Sequence, residues 1–157
     1  MGIQKTPAYG SFWSDEFQTV GFDRPFSFSF SGPTSGGVTL TDPNTILVEN
    51  GGDYLVTYTV TWNPQLPVDT NFYTPVINIT INGIRVPNTQ IRFGQQYQYV
   101  PGVNDFSCFE LHGEAIIEIP DGTEVRLIND SIFNRETIRT CDNGINAAAL
   151  NLVKLSI

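Results

Sequence analysis

The sequence predicts an all-β sandwich or barrel, and three observations carry the prediction. Apolar and polar residues alternate with a period of two, above all through Tyr54-Leu55-Val56-Thr57-Tyr58-Thr59-Val60-Thr61-Trp62, which places each set on one face of a sheet. Fourteen glycines and ten prolines are scattered along the chain, cutting it into about nine or ten short strands. No stretch sustains a helical period, and aromatic residues led by phenylalanine far outnumber the one methionine, a strand-like composition. At 157 residues the chain is long enough for one domain with its own core.

Taken in order, residues 1–7 are polar, end in Pro7 and read as a tail, with a single domain expected over 8–157. Residues 8–17 predict a first strand anchored by Tyr9, Phe12, Trp13 and Phe17, and 21–24 a turn. In 25–30 Phe26, Phe28 and Phe30 alternate with serine, as a strand with its phenylalanines on one face. The glycine-rich 32–37 reads as a loop. Residues 38–40 and 45–48 flank a turn at Asp42-Pro43-Asn44, and Asn50-Gly51-Gly52 turns the chain into its longest alternating stretch. There Tyr54, Val56, Tyr58, Val60 and Trp62 form a bulky core face. Leu55, Thr57, Thr59 and Thr61 form a narrower, hydroxyl-rich face that is neither plainly solvent nor plainly core.

Residues 63–71, with Pro64 and Pro67, predict a loop, and 72–81 a strand ended by Asn82-Gly83, the strongest hairpin signal in the chain. Residues 84–86 form the return, while 91–100 stay open between irregular strand and loop. A long strand is expected over 106–119, with Gly113 marking a bulge or bend. Pro120-Asp121-Gly122 is a turn, and 124–129 a strand with Val125 and Leu127 on one side. Residues 130–146 read as a long loop. Residues 147–157 read as the last strand, although Ala147-Ala148-Ala149 would also suit a helix by propensity.

The net charge is −8, from eight Lys plus Arg against sixteen Asp plus Glu. Such a chain is a poor partner for nucleic acid or an anionic membrane. No apolar run approaches the roughly 20 residues of a membrane helix, and no signal-peptide pattern opens the chain. The opening Met1-Gly2-Ile3-Gln4-Lys5-Thr6 fits a permissive myristoylation pattern and is read as coincidence. Asn78-Ile79-Thr80 and Asn129-Asp130-Ser131 fit the glycosylation triplet and receive no weight. Cys108 and Cys141 form neither a CxxC nor a metal-ligand pattern. A disulfide between them and two free thiols are both open, with two free thiols the expectation.

Signals for catalysis are scarce. One histidine, His112, cannot build a zinc-type cluster and lacks a visible nucleophile and orienting partner. Asp15 and Glu16 point to opposite faces of a strand. Glu114 and Glu118 share a face but lie about 13 Å apart at strand rise, too far for glycosidase-type cooperation. No cofactor is expected. Calcium stays possible at Asp42, Asp69, Asp105, Asp121, Asp130 and Asp142 in predicted turns, where ordinary turn chemistry serves equally well. Tyr97, Tyr99, Phe72, Tyr73 and Trp62 flank loops, which leaves a sugar-stacking module as an alternative.

Three stretches resemble the C1q/TNF-like jelly-roll family, in particular its bacterial spore-surface branch, the C-terminal domains of exosporium collagen-like proteins and exosporium basal-layer proteins. They are Gly52-Asp53-Tyr54-Leu55-Val56-Thr57-Tyr58-Thr59-Val60, the run from Gly113 to Leu127 and the closing Ala147-Ala148-Ala149-Leu150-Asn151-Leu152-Val153-Lys154-Leu155. Where the family usually has a Gly-Asp turn, this chain has Asp121-Gly122. The collagen-like stalk of some relatives has no counterpart in the sequence, so a free-standing or truncated head is expected. The resemblance implies a ten-stranded, two-sheet jelly roll that forms a homotrimer and is not an enzyme. It implies a structural or adhesive role at a spore surface (exosporium or coat), with other spore-surface proteins or glycans as further partners. A carbohydrate-binding or phage-receptor-binding sandwich is the alternative. In such a trimer Leu55, Thr57, Thr59 and Thr61 would face a neighbouring subunit, joined by Phe109, Leu111 and Ala148. Without the trimer, the threonines are simply good strand formers in water.

Overall fold

The computed structural model describes residues 7–64, 72–98, 107–133 and 135–156. Strand β1 (Tyr9–Ser14) is followed by the short β2 (Thr19–Val20) and by β3 (Phe30–Ser35). A turn at Gly36-Gly37 leads to β4 (Val38–Asp42), β5 (Thr45–Val48) and the eleven-residue β6 (Gly52–Trp62). Then come β7 (Phe72–Tyr73), β8 (Val76–Ile81), β9 (Ile84–Arg85), a 3₁₀ turn at Pro87–Thr89, β10 (Phe93–Gly94) and β11 (Tyr97–Gln98). The chain closes with β12 (Phe109–Ile119), β13 (Thr123–Asn129), β14 (Ile138–Arg139) and β15 (Ala148–Lys154).

These strands build two antiparallel sheets packed face to face in a jelly roll, as predicted. One has the order β12-β6-β15-β1-β3; the other runs β10-β8-β13-β5-β4, with β9 returning on β8. Two small ribbons, β7–β11 and β2–β14, lie off these paths. The core sits where the alternation of β6 put it: Tyr54, Val56, Tyr58, Val60 and Trp62 are all buried. They meet Ile77, Ile79, Val125 and Leu127 of the opposite sheet, with Phe12, Phe26, Leu150 and Leu152 in the same cluster. The Tyr58 hydroxyl crosses between the sheets to donate to the Ile91 carbonyl at 2.8 Å, with the Ile77 carbonyl at 3.2 Å. Burial pushes its pKa above the ordinary 10.0, because the anion would lose its water.

Turn chemistry accounts for the hairpins. Asn82 (φ 51°) and Gly83 (φ 81°) both lie at positive φ, as a two-residue hairpin turn matched to strand twist requires. Four local expectations are corrected. Residues 32–37 are not a loop: Gly32 to Ser35 extend β3 along β1, with a register shift between Gly10 and Phe12. Phe30 does not join Phe26 and Phe28 in the core; it is 43% exposed and stacks on Trp13 at 5.5 Å on the outside of the sheet. The strand expected over 72–81 is broken at Thr74-Pro75, since proline cannot donate to the ladder. Gly113 marks no bulge, for β12 pairs with β6 without interruption from Phe109↔Trp62 to Ile119↔Gly52. A Cβ there would lie 2.2 Å from the Tyr58 ring, so the glycine makes room for that tyrosine.

Candidate interaction surface

The register of the five-stranded sheet places its outward side chains in rows. One row runs Ile116, Leu55, Val153, Tyr9 across β12, β6, β15 and β1. Ile116 (53%), Val153 (45%) and Tyr9 (36%) are exposed and Leu55 is half-buried. Four apolar side chains on adjacent strands make a continuous strip about 14 Å wide at ordinary strand spacing. The next row is polar: Glu114, Thr57, Asn151 and Ser11, with the Asn151 amide donating to Thr57 Oγ1 at 3.4 Å. The third row carries His112, Thr59, Ala149 and Trp13. His112 Nδ1 lies 3.3 Å from Thr59 Oγ1 and its Nε2 3.7 Å from Glu114 Oε2. Beyond it, Thr59, Thr61, Glu110, Ile145, Asn146 and Ala149 line a shallow groove of about 440 Å³.

Of the predicted interface residues, Leu55, Thr57 and Thr59 lie on this outward face and are partly exposed. Thr61 shares the face but is buried, its hydroxyl donating to the Asn146 carbonyl at 3.1 Å and its N–H to Ala147 at 3.0 Å. Phe109, Leu111 and Ala148 are corrected: they face the core. Phe109 pairs with Trp62, and Leu111 and Ala148 both flank Val60. Leu111 and Ala148 are almost wholly buried within the chain. The sequence reading missed Ile116, Val153 and Tyr9. The adjacent pair Ile116-Ile117 was the available signal, since on a strand one of two neighbours must face outward.

The expectation of free thiols is overturned: Cys108 and Cys141 form a disulfide, with Cα atoms 5.9 Å apart. It ties the approach to β12 to the loop before β15, a proximity created by the fold and invisible to spacing alone. Cys141 is buried and Cys108 exposed.

The loop-flanking aromatics mostly pack on one another. Trp62 stacks on Phe109 at 4.9 Å, lies 5.3 Å from Tyr73 and meets Tyr97 edge-on at 5.8 Å, and its indole N–H donates to Gln95 Oε1 at 2.6 Å. Trp62 and Tyr73 are buried and Phe72 is 44% exposed, and Trp62, Tyr97 and Phe109 line a cavity of about 320 Å³ with Gln95 and Gln96. Burial raises the pKa of the Tyr73 phenol, reinforced by Glu136 and opposed by Arg139. Tyr99 lies outside the described residues.

The candidate calcium ligands are dispersed. Asp130 is buried and receives Arg85 Nε at 2.7 Å, Arg92 Nε at 3.4 Å and the Asn78 amide at 3.1 Å. This hydrogen bond is the main reason the Arg85 guanidinium is held above its ordinary pKa. Asp121 accepts the Gly51 N–H and Asp42 the Asn44 N–H. Asp142 lines a cavity of about 150 Å³ with Phe17, Asn63, Arg139 and Thr140. Asp69 and Asp105 lie outside the described residues. Among the described residues no three His, Cys, Asp or Glu side chains are grouped to hold a metal, and no helix is long and apolar enough to cross a membrane. Asn78 and Asn129 of the two glycosylation triplets are buried and hydrogen-bonded, out of reach of a glycan.

No protein-family model matches the sequence, and no curated protein matches it. Solved structures do match in fold. Eiger TNF from S. frugiperda superposes with a TM-score of 0.65 at 14% identity, covering 97% of this chain and 94% of that one. The globular domain of zebrafish complement 1qA protein gives 0.62 at 9% identity, covering 95% and 98%. The fold is therefore a C1q/TNF-like jelly roll.

Proposed function

We propose that the chain forms a homotrimer through the outward face of its five-stranded sheet and serves as a non-catalytic structural or adhesive component of a bacterial spore surface. One observation carries the assembly: the open apolar strip of Ile116, Leu55, Val153 and Tyr9, beside small and hydroxyl-bearing neighbours that allow close backbone approach. Domains of this fold are typically trimeric, which supports the reading. A trimer would cover the strip and the β12 edge together, removing an exposed edge strand. The spore-surface part rests on the sequence likeness at residues 52–60, 113–127 and 147–155. Its mechanism is presentation, with a rigid three-fold body offering its loops to other surface proteins or glycans.

Sedimentation at low micromolar concentration tests the assembly. A mass of three chains is expected, because obligate interfaces commonly bury about 2,000 Å² or more; a monomer alone sinks the reading. Detection of the protein in extracts of washed spores tests the location.

A further inference from the structure

We propose that Asn143-Gly144 is a site of spontaneous deamidation, selected by the fold from three Asn-Gly pairs in the chain. Asn-Gly is prone to this reaction because glycine has no Cβ to block approach of its nitrogen to the preceding side chain. The Gly144 nitrogen loses its proton and attacks Asn143 Cγ. A C–N bond forms, the Cγ–Nδ2 bond breaks, and ammonia leaves. Water then opens the five-membered imide at either carbonyl, giving aspartate or isoaspartate at position 143.

The other two pairs are tied down. Asn50 donates through Nδ2 to the Gly36 carbonyl at 2.8 Å, and the attacking group, Gly51 N–H, is held by Asp121 Oδ1 at 2.5 Å. Asn82 accepts the Glu124 N–H on Oδ1 at 2.9 Å and donates its own N–H to the Glu124 carbonyl at 2.8 Å. The related Asp121-Gly122 pair is held too, with Gly122 N–H on the Glu49 carbonyl at 3.2 Å. Asn143 is exposed, and among the described residues neither its amide nor the Gly144 N–H has a hydrogen-bond partner. Gly144 has φ 78° and open space around its Cα.

The surrounding loop is pinned at both ends, by the disulfide at Cys141 and by Ala147, which gives its N–H to Ser14 and accepts that of Thr61. Conversion would add a negative charge beside Asp142. The isoaspartate product would also lengthen the backbone by one carbon, next to the groove lined by Asn146, Thr59 and Glu110.

Incubation of the folded protein in mildly alkaline buffer, followed by peptide mapping with mass spectrometry, tests this. The peptide containing Asn143 should convert at least about fivefold faster than those containing Asn50 and Asn82, the factor set by opening one ordinary net hydrogen bond. In denaturant the three should converge. Asp121→Ala, which frees the Gly51 N–H, should speed conversion at Asn50. Equal rates in the folded protein, a lead by Asn50 or Asn82, a lead by Asn143 that survives unfolding, or an Asn50 rate indifferent to Asp121→Ala would each overturn the proposal.

Discussion

On the outward side of the six-stranded sheet, polar groups find partners within the chain; on the outward side of the five-stranded sheet, apolar side chains lie open. Across β8 and β9 the first carries Asn78, Thr80 and Arg85, joined by the buried Asp130. Arg85 bridges Asp130 to Asp23, and Arg126 Nε donates to Thr45 Oγ1 at 2.9 Å. Each charge there is matched and hydrated or hydrogen-bonded, which leaves little for another protein to gain. The second carries Ile116, Leu55, Val153 and Tyr9 in one row, with no Lys or Arg in the three rows described. Both belong to one sandwich and enclose one core. They differ in which face is chemically complete in a single chain, and an incomplete apolar face is what marks an interaction site.

Charge placed on the open strip should break this contrast most severely. Ile116→Arg with Val153→Arg keeps the monomer fold, because both positions are more than two-fifths exposed. In the proposed trimer it would bury unpaired cations from every chain at the seam, at a cost of several kcal/mol each. The expected result is a shift from three-chain mass to one-chain mass in sedimentation, with far-ultraviolet circular dichroism unchanged. Thr57→Arg in the adjacent row should do the same. Arg126→Ala, on the complete face, should leave the mass as it is.

The disulfide comes next. It closes a loop of 33 residues in sequence separation, for which the loss of unfolded-chain entropy amounts to about 4 kcal/mol. Cys108→Ser with Cys141→Ser should therefore lower the urea midpoint strongly without changing the fold. The loop it pins holds Asn146 and Ala147 over Thr61, so hydrogen exchange at the Thr61 amide should accelerate in the same variant.

How far the sequence revealed the two faces follows from what a period of two can say. It separates Tyr54, Val56, Tyr58, Val60 and Trp62 from Leu55, Thr57 and Thr59 on β6, and Asn82-Gly83 announces its hairpin through backbone chemistry alone. It cannot say which set on a neighbouring strand shares a side with them. Sequence alone allows Leu111 and Ala148 on the outward face, yet register sets both beside Val60 in the core. The same limit hid Ile116, Val153 and Tyr9. Phe30 shows a second limit: its alternation with Phe26 and Phe28 is intact, but the chain crosses from one sheet to the other between Phe28 and β3, and the alternation does not survive the crossing. Gly32, Pro33 and Gly36 are turn formers and predict a loop, yet Phe30–Ser35 is the edge strand β3, and at a sheet edge proline and glycine are tolerated.

Removing one charge from the complete face should have a smaller effect than losing the disulfide. Asp130→Ala leaves Arg85, Arg92 and the Asn78 amide without their shared acceptor. Breaking a buried pair costs about 3–5 kcal/mol when the survivor stays dry. Here both arginines reach water, with side chains 40% and 26% exposed, so about 2 kcal/mol is expected from chemical denaturation. The trimer mass should persist, since the residue lies on the face that needs no partner.

The smallest effect concerns the core that both faces enclose. The Tyr58 and Tyr73 phenols are driven above the ordinary pKa of 10.0 mainly by burial. Above pH 10 the unfolded chain releases these protons while the folded chain retains them, so the folded state binds more protons and stability falls as pH rises. The stability they contribute is complete below pH 10 and declines above it, by up to about 1.4 kcal/mol per pH unit for each tyrosine. Tyr58→Phe removes one such group together with its hydrogen bond to Ile91. It should cost about 1 kcal/mol at neutral pH yet flatten the alkaline decline. Thermal melts of both proteins from pH 8 to pH 11 would reveal it: the curves should approach each other as pH rises, and parallel curves would mean that the Tyr58 proton is not held by the fold.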